Sequence, residues 1–128
     1  LGRLTGQIFI KRGNREKAIQ TLQNNYAKVH RYRRSILIAP EGTRKHEMPI
    51  GSFKKGAFRM ALDLGYPIVP VYFEGTTILS KGGSLLTKAG NITAHVYPSI
   101  STDHWNETTL EKNIEDIRNK YLQWSTVL

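Results

Sequence analysis

The chain has 128 residues, a formal net charge of +9 and no cysteine. This length suits one compact domain with a sizeable core, so a single domain over residues 1–128 is predicted. The absence of cysteine excludes disulfide frameworks, thiolate metal sites and cysteine nucleophiles. Because every apolar run is far shorter than the roughly 20 residues that cross a bilayer, no transmembrane helix is expected in this chain.

Positive charge is concentrated in the first half of the chain. Residues 1–60 contain 14 of the 19 Lys and Arg residues and 3 acidic residues, whereas residues 61–128 contain 5 cations and 7 acids. The two halves therefore carry net charges of +11 and −2. Such a basic surface attracts phosphate groups on a nucleic acid, a lipid surface or a small substrate. A merely solvated basic face is the other interpretation.

The first predicted elements are a strand at 6–10, a turn at 11–13 and a helix that ends near His30. Asn14 is a suitable N-cap residue for this helix. Its apolar side chains recur at spacings of three and four residues, which places them on one helical face. These side chains are Ile19, Leu22, Tyr26 and Val29. The arginines at 31–34 follow the helix, where cations suit its dipole, so part of the basic cluster has a structural explanation.

The middle of the chain is predicted to alternate strands with a helix. Residues 35–39 form a continuous apolar run that is typical of a strand buried on both faces. Residues 57–64 have helical periodicity, and Gly65 follows as a stop signal. Another apolar strand is expected at 67–73, and a long polar loop is expected at 75–91.

A strand at 92–96 and a helix at about 109–124 complete the predicted elements. Thr108 and Glu111 have the spacing of a capping box at the start of this helix. Its apolar stripe has helical spacing and consists of Leu110, Ile114, Ile117, Tyr121 and Trp124. Strands that alternate with helices predict an α/β domain with a mostly parallel or mixed sheet flanked by helices.

The segment Glu41-Gly42-Thr43-Arg44 is the first candidate site. Arg44 offers a planar fork of donors that matches a phosphate or a carboxylate, and Gly42 lets a ligand approach the backbone closely. Because Glu41 would repel a phosphate, we expect it to hold Arg44, a backbone group or a substrate hydroxyl. An ordinary turn with an Arg–Glu pair is the alternative interpretation.

Two further basic segments could contribute to the same site. The segment 51–57 places Lys54, Lys55 and Gly56 at the start of a helix, where free N–H groups favour an anion. A capped helix start with solvated lysines is the alternative there. If the first two strands are parallel, Arg12 approaches Arg44 across one crevice at their carboxyl ends.

The histidines and the remaining polar patterns favour no other chemistry. None of the four histidines has metal-type spacing or belongs to a recognisable Ser-His-Asp order, so structural or exposed roles are predicted and no metal site is expected. Nucleic-acid binding through the arginines at 31–34 is a further hypothesis. It is disfavoured because no recognised module pattern accompanies these cations.

Four segments in this order resemble the glycerolipid acyltransferases of the lysophosphatidic acid acyltransferase (PlsC-like) family, which includes the 1-acyl-glycerol-3-phosphate acyltransferases. They are Gly6-Gln7-Ile8-Phe9-Ile10-Lys11-Arg12, Pro40-Glu41-Gly42-Thr43-Arg44, Phe53-Lys54-Lys55-Gly56-Ala57 and Ile68-Val69-Pro70-Val71. The resemblance covers about residues 5–100. It implies an α/β acyltransferase domain and the transfer of an acyl group to the free hydroxyl of a lysophosphatidate-like acceptor.

The resemblance also implies roles for particular residues. The acceptor and its phosphate would be bound by Arg12, Glu41, Gly42, Thr43, Arg44, Lys54, Lys55 and Gly56. Pro70 would lie on the acyl-donor side or shape the site. No cofactor is implied, since acyl-CoA or acyl carrier protein is a co-substrate. The implied partners are the lysophospholipid, the acyl donor and a membrane surface, with anchoring by segments outside this chain and no nucleic acid.

One family feature is missing from the chain. The catalytic pair of the family is a His and an Asp separated by four residues, with the His as general base. At that spacing from the four histidines lie Ser35, Gly51, Ile100 and Thr109. We therefore expect an N-terminally truncated fragment whose catalytic residues precede Leu1 and which is inactive alone. A non-catalytic module that binds anionic lipid is the alternative hypothesis.

Overall fold

The first helix, α1 (Arg15–Arg31), matches the predicted helix. The structure is a computed structural model that describes residues 15–42, 50–79 and 88–127. Within α1, Val29 is buried and Tyr26 is partly buried, as the apolar stripe predicts. The chain divides into two units, Leu1–Leu37 and Ile38–Leu128, and the single domain expected over 1–128 stays a prediction.

The helix α2 (Lys55–Leu64) confirms the second predicted helix. Gly65 follows it with a φ of 62°, so the predicted stop signal has the left-handed conformation that glycine adopts without strain. The N–H of Gly65 donates to the Leu62 carbonyl at 3.2 Å, and the N–H of Tyr66 donates to the Ala61 carbonyl at 3.0 Å. These two bonds form a Schellman motif that closes the helix.

The segment 35–39 corrects one expectation. No strand pairing involves it within the described residues, and Leu37 is 86% exposed. The prediction of a strand buried on both faces was therefore wrong, because an apolar run becomes a central strand only where neighbouring strands pair with both of its edges. The expected strand at 6–10 and its parallel pairing lie outside the described residues.

The described sheet has two antiparallel strands, β1 (Val71–Glu74) and β2 (Thr93–Val96), with Val71 opposite Val96. The predicted strand at 67–73 is interrupted because Pro70 has no N–H to donate to a ladder. An isolated antiparallel bridge joins Ile68 to Ile100. Between this bridge and the first β1–β2 pair, residues 69–70 on one segment lie opposite residues 97–99 on the other. This local bulge separates the bridge from the sheet.

The predicted long loop at 75–91 begins with a short helix, α3 (Thr76–Leu79). Gly75 precedes it with a φ of 87°, and a Cβ atom there would lie 2.7 Å from the Asn91 carbonyl oxygen. Only glycine fits this position, because the start and the end of the segment 75–91 approach each other closely here. Residues 80–87 lie outside the described part of the chain.

The last helix, α4 (Leu110–Val127), confirms the predicted C-terminal helix. Its start differs from the predicted capping box. The Asn106 side-chain oxygen accepts hydrogen bonds from the N–H groups of Thr108 and Thr109, both at 3.0 Å, whereas Glu111 forms an ion pair with Lys55. The amide of Asn106 satisfies the free N–H groups before the helix, so the carboxylate is not needed there.

The core of the second unit lies between α2 and α4. It consists of Phe58, Trp105, Leu110, Ile114 and Ile117, with Phe53, Ala57, Leu62, Ile68, Ile100 and Tyr121 packed against it. Leu110 is fully buried, and burial of a side chain of this size contributes roughly 1.5 to 3 kcal/mol. The core therefore seats α4 beside the start of α2, where several of the candidate site residues lie.

Candidate functional site

The tight turn at 40–42 forms the first part of the candidate site. The N–H of Gly42 donates to the Ala39 carbonyl at 3.3 Å, and Gly42 has a φ of 69°. A non-glycine residue would be strained in this left-handed conformation. The glycine predicted to allow close approach of a ligand is therefore also required by the backbone itself.

The Glu41 carboxylate holds a backbone group, which is one of the partners expected from the sequence. Its Oε2 atom accepts a hydrogen bond from the N–H of Gly51 at 2.9 Å. Glu41 precedes the segment 42–50 and Gly51 follows it, so this bond joins the two residues that flank the segment. Because a carboxylate is a strong acceptor of an N–H bond, Glu41 holds the backbone of Gly51 close to the turn at 40–42.

The start of α2 lies directly against this turn. The N–H of Lys54 donates to the Pro40 carbonyl at 2.7 Å. A Cβ atom at Gly42 would lie 3.4 Å from Cγ of Lys54, so the Lys54 side chain passes over the glycine. The turn at 40–42 and the segment 53–57, which are separate in the sequence, are thus brought together by a backbone hydrogen bond and by the Lys54 side chain.

The two lysines at the start of α2 have different surroundings. Lys55 Nζ lies 3.2 Å from Glu111 Oε1, whereas the exposed Lys54 side chain has no ion pair with the described residues. No acidic residue occupies the first turn, and Lys54, at the N-cap position, forms no side-chain capping bond. Gly56 is exposed, with open space where a Cβ atom would lie. The helix start therefore presents N–H groups and one cation, Lys54, that forms no ion pair within the described part of the chain, an arrangement that favours an anion.

Tyr121 of α4 links this region to the segment around Pro70. Its ring makes an edge contact with Phe53 at a centroid distance of 5.4 Å. Its hydroxyl accepts from the N–H of Val71 at 3.1 Å and donates to the carbonyl of the same residue at 3.3 Å. Burial of the phenol, opposed by its bond with the Val71 backbone, raises the pKa of Tyr121 above its ordinary value of 10.0. Pro70 itself is buried immediately before this contact.

Arg118 is a site residue that the sequence reasoning missed. Its guanidinium donates to the carbonyls of Gly51 and Ile50, at 3.0 Å from Nε and 3.4 Å from Nη2. A signal was present in the sequence, since Arg118 lies four residues after the buried Ile114 and next to the buried Ile117. An arginine so close to an apolar stripe needs buried acceptors, but the sequence alone does not identify them.

Three of the predicted acceptor-binding residues, Arg12, Thr43 and Arg44, lie outside the described residues. The structure therefore does not test whether Arg12 approaches Arg44. Among the histidines, His30 and His104 are exposed, and His95 Nε2 lies 2.9 Å from Oε2 of Glu74 across the two-stranded sheet.

Comparison with known proteins identifies the family. The sequence model of the family described as Acyltransferase matches residues 1–74. The chain is 33% identical over 126 residues to a 1-acyl-sn-glycerol-3-phosphate acyltransferase of Cocos nucifera, covering 93% of this chain and 41% of the relative. The enzyme of the same name from Haemophilus influenzae is 40% identical over 73 residues, covering 57% of this chain and 30% of the relative. The chain belongs to the acyltransferase family, as its motifs predict.

The fold agrees with this assignment. The crystal structure of PlsC, the 1-acyl-sn-glycerophosphate acyltransferase of Thermotoga maritima, superimposes with a TM-score of 0.70 at 23% identity, covering 88% of this chain and 46% of that one. This likeness confirms the predicted α/β acyltransferase fold. The chain spans less than half the length of these relatives. Across residues 15–42, 50–79 and 88–127, no helix is long and apolar enough to cross a bilayer.

Proposed function

We propose that this chain forms the acceptor-binding part of an enzyme that transfers an acyl group to the free hydroxyl of a lysophosphatidate-like glycerolipid. Acyl-CoA or acyl carrier protein serves as the acyl donor, and no further cofactor takes part. The protein works at a membrane surface, because its acceptor is a lipid. Segments outside this chain provide the attachment.

The contact between the turn at 40–42 and the start of α2 carries this proposal. The 2.7 Å hydrogen bond from the Lys54 N–H to the Pro40 carbonyl joins the turn at 40–42 to the segment 53–57. Both belong to motifs for which the family resemblance implies acceptor binding. The Lys54 cation and the N–H groups at the start of α2 supply positive potential at this contact. Membership of the acyltransferase family and the names of the relatives agree with this interpretation.

In the proposed mechanism, the acceptor phosphate is bound by the cationic residues to which the family resemblance gives this role, Arg12, Arg44 and Lys54. The phosphate anchors the lipid so that its free hydroxyl lies next to a histidine that is paired with an aspartate and supplied by residues outside this chain. The histidine takes the hydroxyl proton while the oxygen attacks the thioester carbonyl. Collapse of the tetrahedral intermediate breaks the carbon–sulfur bond, and the thiolate leaves with that proton. Anchoring the phosphate contributes chiefly by orienting the hydroxyl.

The first test compares this chain with a longer polypeptide that includes the residues encoded upstream. We expect the longer polypeptide to acylate lysophosphatidate from acyl-CoA or acyl carrier protein and the 128-residue chain to show no turnover. Comparable turnover by the chain alone would contradict the assignment of the catalytic pair. A longer polypeptide without the His and Asp, which binds anionic vesicles but transfers no acyl group, would support the non-catalytic lipid-binding module instead.

The second test addresses the phosphate. In the active polypeptide, Arg44→Ala should cost on the order of 2 to 3 kcal/mol in kcat/KM for the phosphorylated acceptor, because a charge-assisted contact is lost. Arg44→Lys should be nearly as harmful, since the bidentate fork is lost. An equal loss with a phosphate-free monoacylglycerol acceptor would argue against the assigned role.

A further inference from the structure

The Arg118 side chain connects the last helix to the candidate acceptor site. The residue lies in α4, 67 positions beyond Gly51, and its side chain is only 18% exposed. Ile50 and Gly51, whose carbonyls accept its hydrogen bonds, are both buried. The planar fork of an arginine suits two carbonyls of successive residues, whereas a lysine carries its donors on a single nitrogen atom. Arg118 therefore fixes the position of this backbone segment relative to α4.

The contact continues through one peptide group to Glu41. The Ile50 carbonyl that accepts from Arg118 and the Gly51 N–H that donates to Glu41 belong to the same planar amide. Rotation of this amide would disturb both bonds together. A cationic donor at the carbonyl oxygen also polarises the amide and strengthens its N–H as a donor. The orientation of the Glu41 carboxylate thus depends on a guanidinium that it does not touch.

The guanidinium is held in place by a third partner. Its Nη1 atom donates to Glu115 Oε1 at 2.9 Å, one turn earlier on the same helix. The Glu115 side chain is 56% exposed, so this bond orients Arg118 but contributes little to stability. Glu115 can therefore be changed to separate the effect of local charge from the effect of the two backbone bonds.

We propose that Arg118 is a positioning residue for acceptor recognition, acting through the Ile50–Gly51 amide on the Glu41–Gly42 turn. This proposal rests on the proposed function, in which that turn binds the phosphorylated acceptor. Arg118 itself contacts neither substrate. Its removal should loosen the turn and reduce the use of the acceptor, while use of the acyl donor is kept.

The kinetic experiment measures KM for lysophosphatidate and for acyl-CoA separately, in the longer active polypeptide. We expect Arg118→Gln to raise KM for the acceptor tenfold or more and to change KM for the donor less than twofold. Arg118→Lys should recover only part of the loss. Arg59→Gln, which removes an exposed ion pair with Asp63 on α2, should leave both constants within twofold of wild type. Glu115→Gln, which removes the charge beside Arg118 but leaves its two backbone bonds, should raise KM for the acceptor less than Arg118→Gln does. Equal changes for the two substrates, or no change, would overturn the proposal.

A coupling measurement separates positioning from simple loss of structure. Glu41→Ala alone should weaken use of the acceptor, and adding Arg118→Gln should weaken it little further, because both variants break one chain of bonds. Fully additive effects would show that Arg118 does not act through Glu41. If Arg118→Gln fails to fold, the same cycle is run with Arg118→Lys.

Hydrogen exchange gives an answer that does not depend on catalysis. In the same polypeptide, the amide of Gly51 should exchange at least tenfold faster in Arg118→Gln than in wild type, while the amides of Ile114 and Ile117 keep their protection. Unchanged protection at Gly51 would refute the positioning role. If the wild-type polypeptide acylates no lysophospholipid but Arg118→Gln still accelerates exchange at Gly51, the proposed function is refuted and the structural link stands.

Discussion

The turn at 40–42 and the start of α2 are adjacent, yet they are held in different ways. The turn depends on backbone conformation and on bonds to buried groups, through the left-handed Gly42 and the link from Glu41 to Gly51. At the helix start, Lys54 forms no side-chain capping bond, and Gly56 and both lysines are exposed. One part of the site is therefore a rigid support, and the other supplies charge that can move toward a ligand.

The largest expected difference is in the free energy of unfolding, between a substitution of Gly42 in the turn and a substitution of Gly56 in α2. Gly42→Ala should lower the free energy of unfolding by roughly 1 to 2 kcal/mol, because alanine is strained at a φ of 69°. Gly56→Ala should leave it unchanged or raise it by up to about 1 kcal/mol, since the site is helical and has open space. Urea unfolding of both variants measures the difference. Equal effects would mean that the turn is not the rigid part of the site.

A smaller effect is expected at Tyr121 of α4, which contacts Phe53 just before α2 and the backbone of Val71. Tyr121→Phe removes the bonds with the Val71 backbone and should cost roughly 1 kcal/mol of unfolding free energy. Packing against Phe53 is kept, so the fold should persist. Thermal unfolding at neutral pH measures this cost.

Tyr121 also predicts that the free energy of unfolding depends on pH. The pKa of the phenol is raised in the folded protein, so folding favours the protonated form. Its contribution to stability is therefore complete below the unfolded pKa of about 10 and is lost as the pH rises through the folded value. Between pH 8 and pH 11, wild type should lose more unfolding free energy than Tyr121→Phe. Parallel losses in the two proteins would contradict the assigned burial.

The smallest effects are expected at the two lysines. Lys54→Ala and Lys55→Ala should each change the free energy of unfolding by less than about 0.5 kcal/mol, because both side chains are exposed. Lys54→Ala should lower kcat/KM for the phosphorylated acceptor roughly threefold, or about 0.7 kcal/mol. Lys55→Ala should have less effect, since Glu111 already neutralises that charge. A larger loss of kcat/KM for Lys55→Ala than for Lys54→Ala would contradict the assignment of Lys54 as the lysine that attracts the acceptor phosphate.

The helices were predictable because their signals are local. Apolar residues at helical spacing predicted α1, α2 and α4, and Gly65 marked the end of α2 through its own backbone freedom. The apolar run at 35–39 was misread because burial of a strand depends on its neighbours, which its own residues do not encode. The capping box failed for a related reason, since Asn106 competes for the same N–H groups.

The sequence by itself determined the family, the helical elements and the residue types that can bind a phosphate, because periodicity and motif order are properties of the chain. Only the tertiary structure decided that Lys54 meets Pro40 and that Arg118 reaches Gly51. These contacts join residues 14 and 67 positions apart, and they exist because the core seats α4 against α2. Side-chain chemistry determines what a residue can bind, whereas packing determines which partner lies within reach.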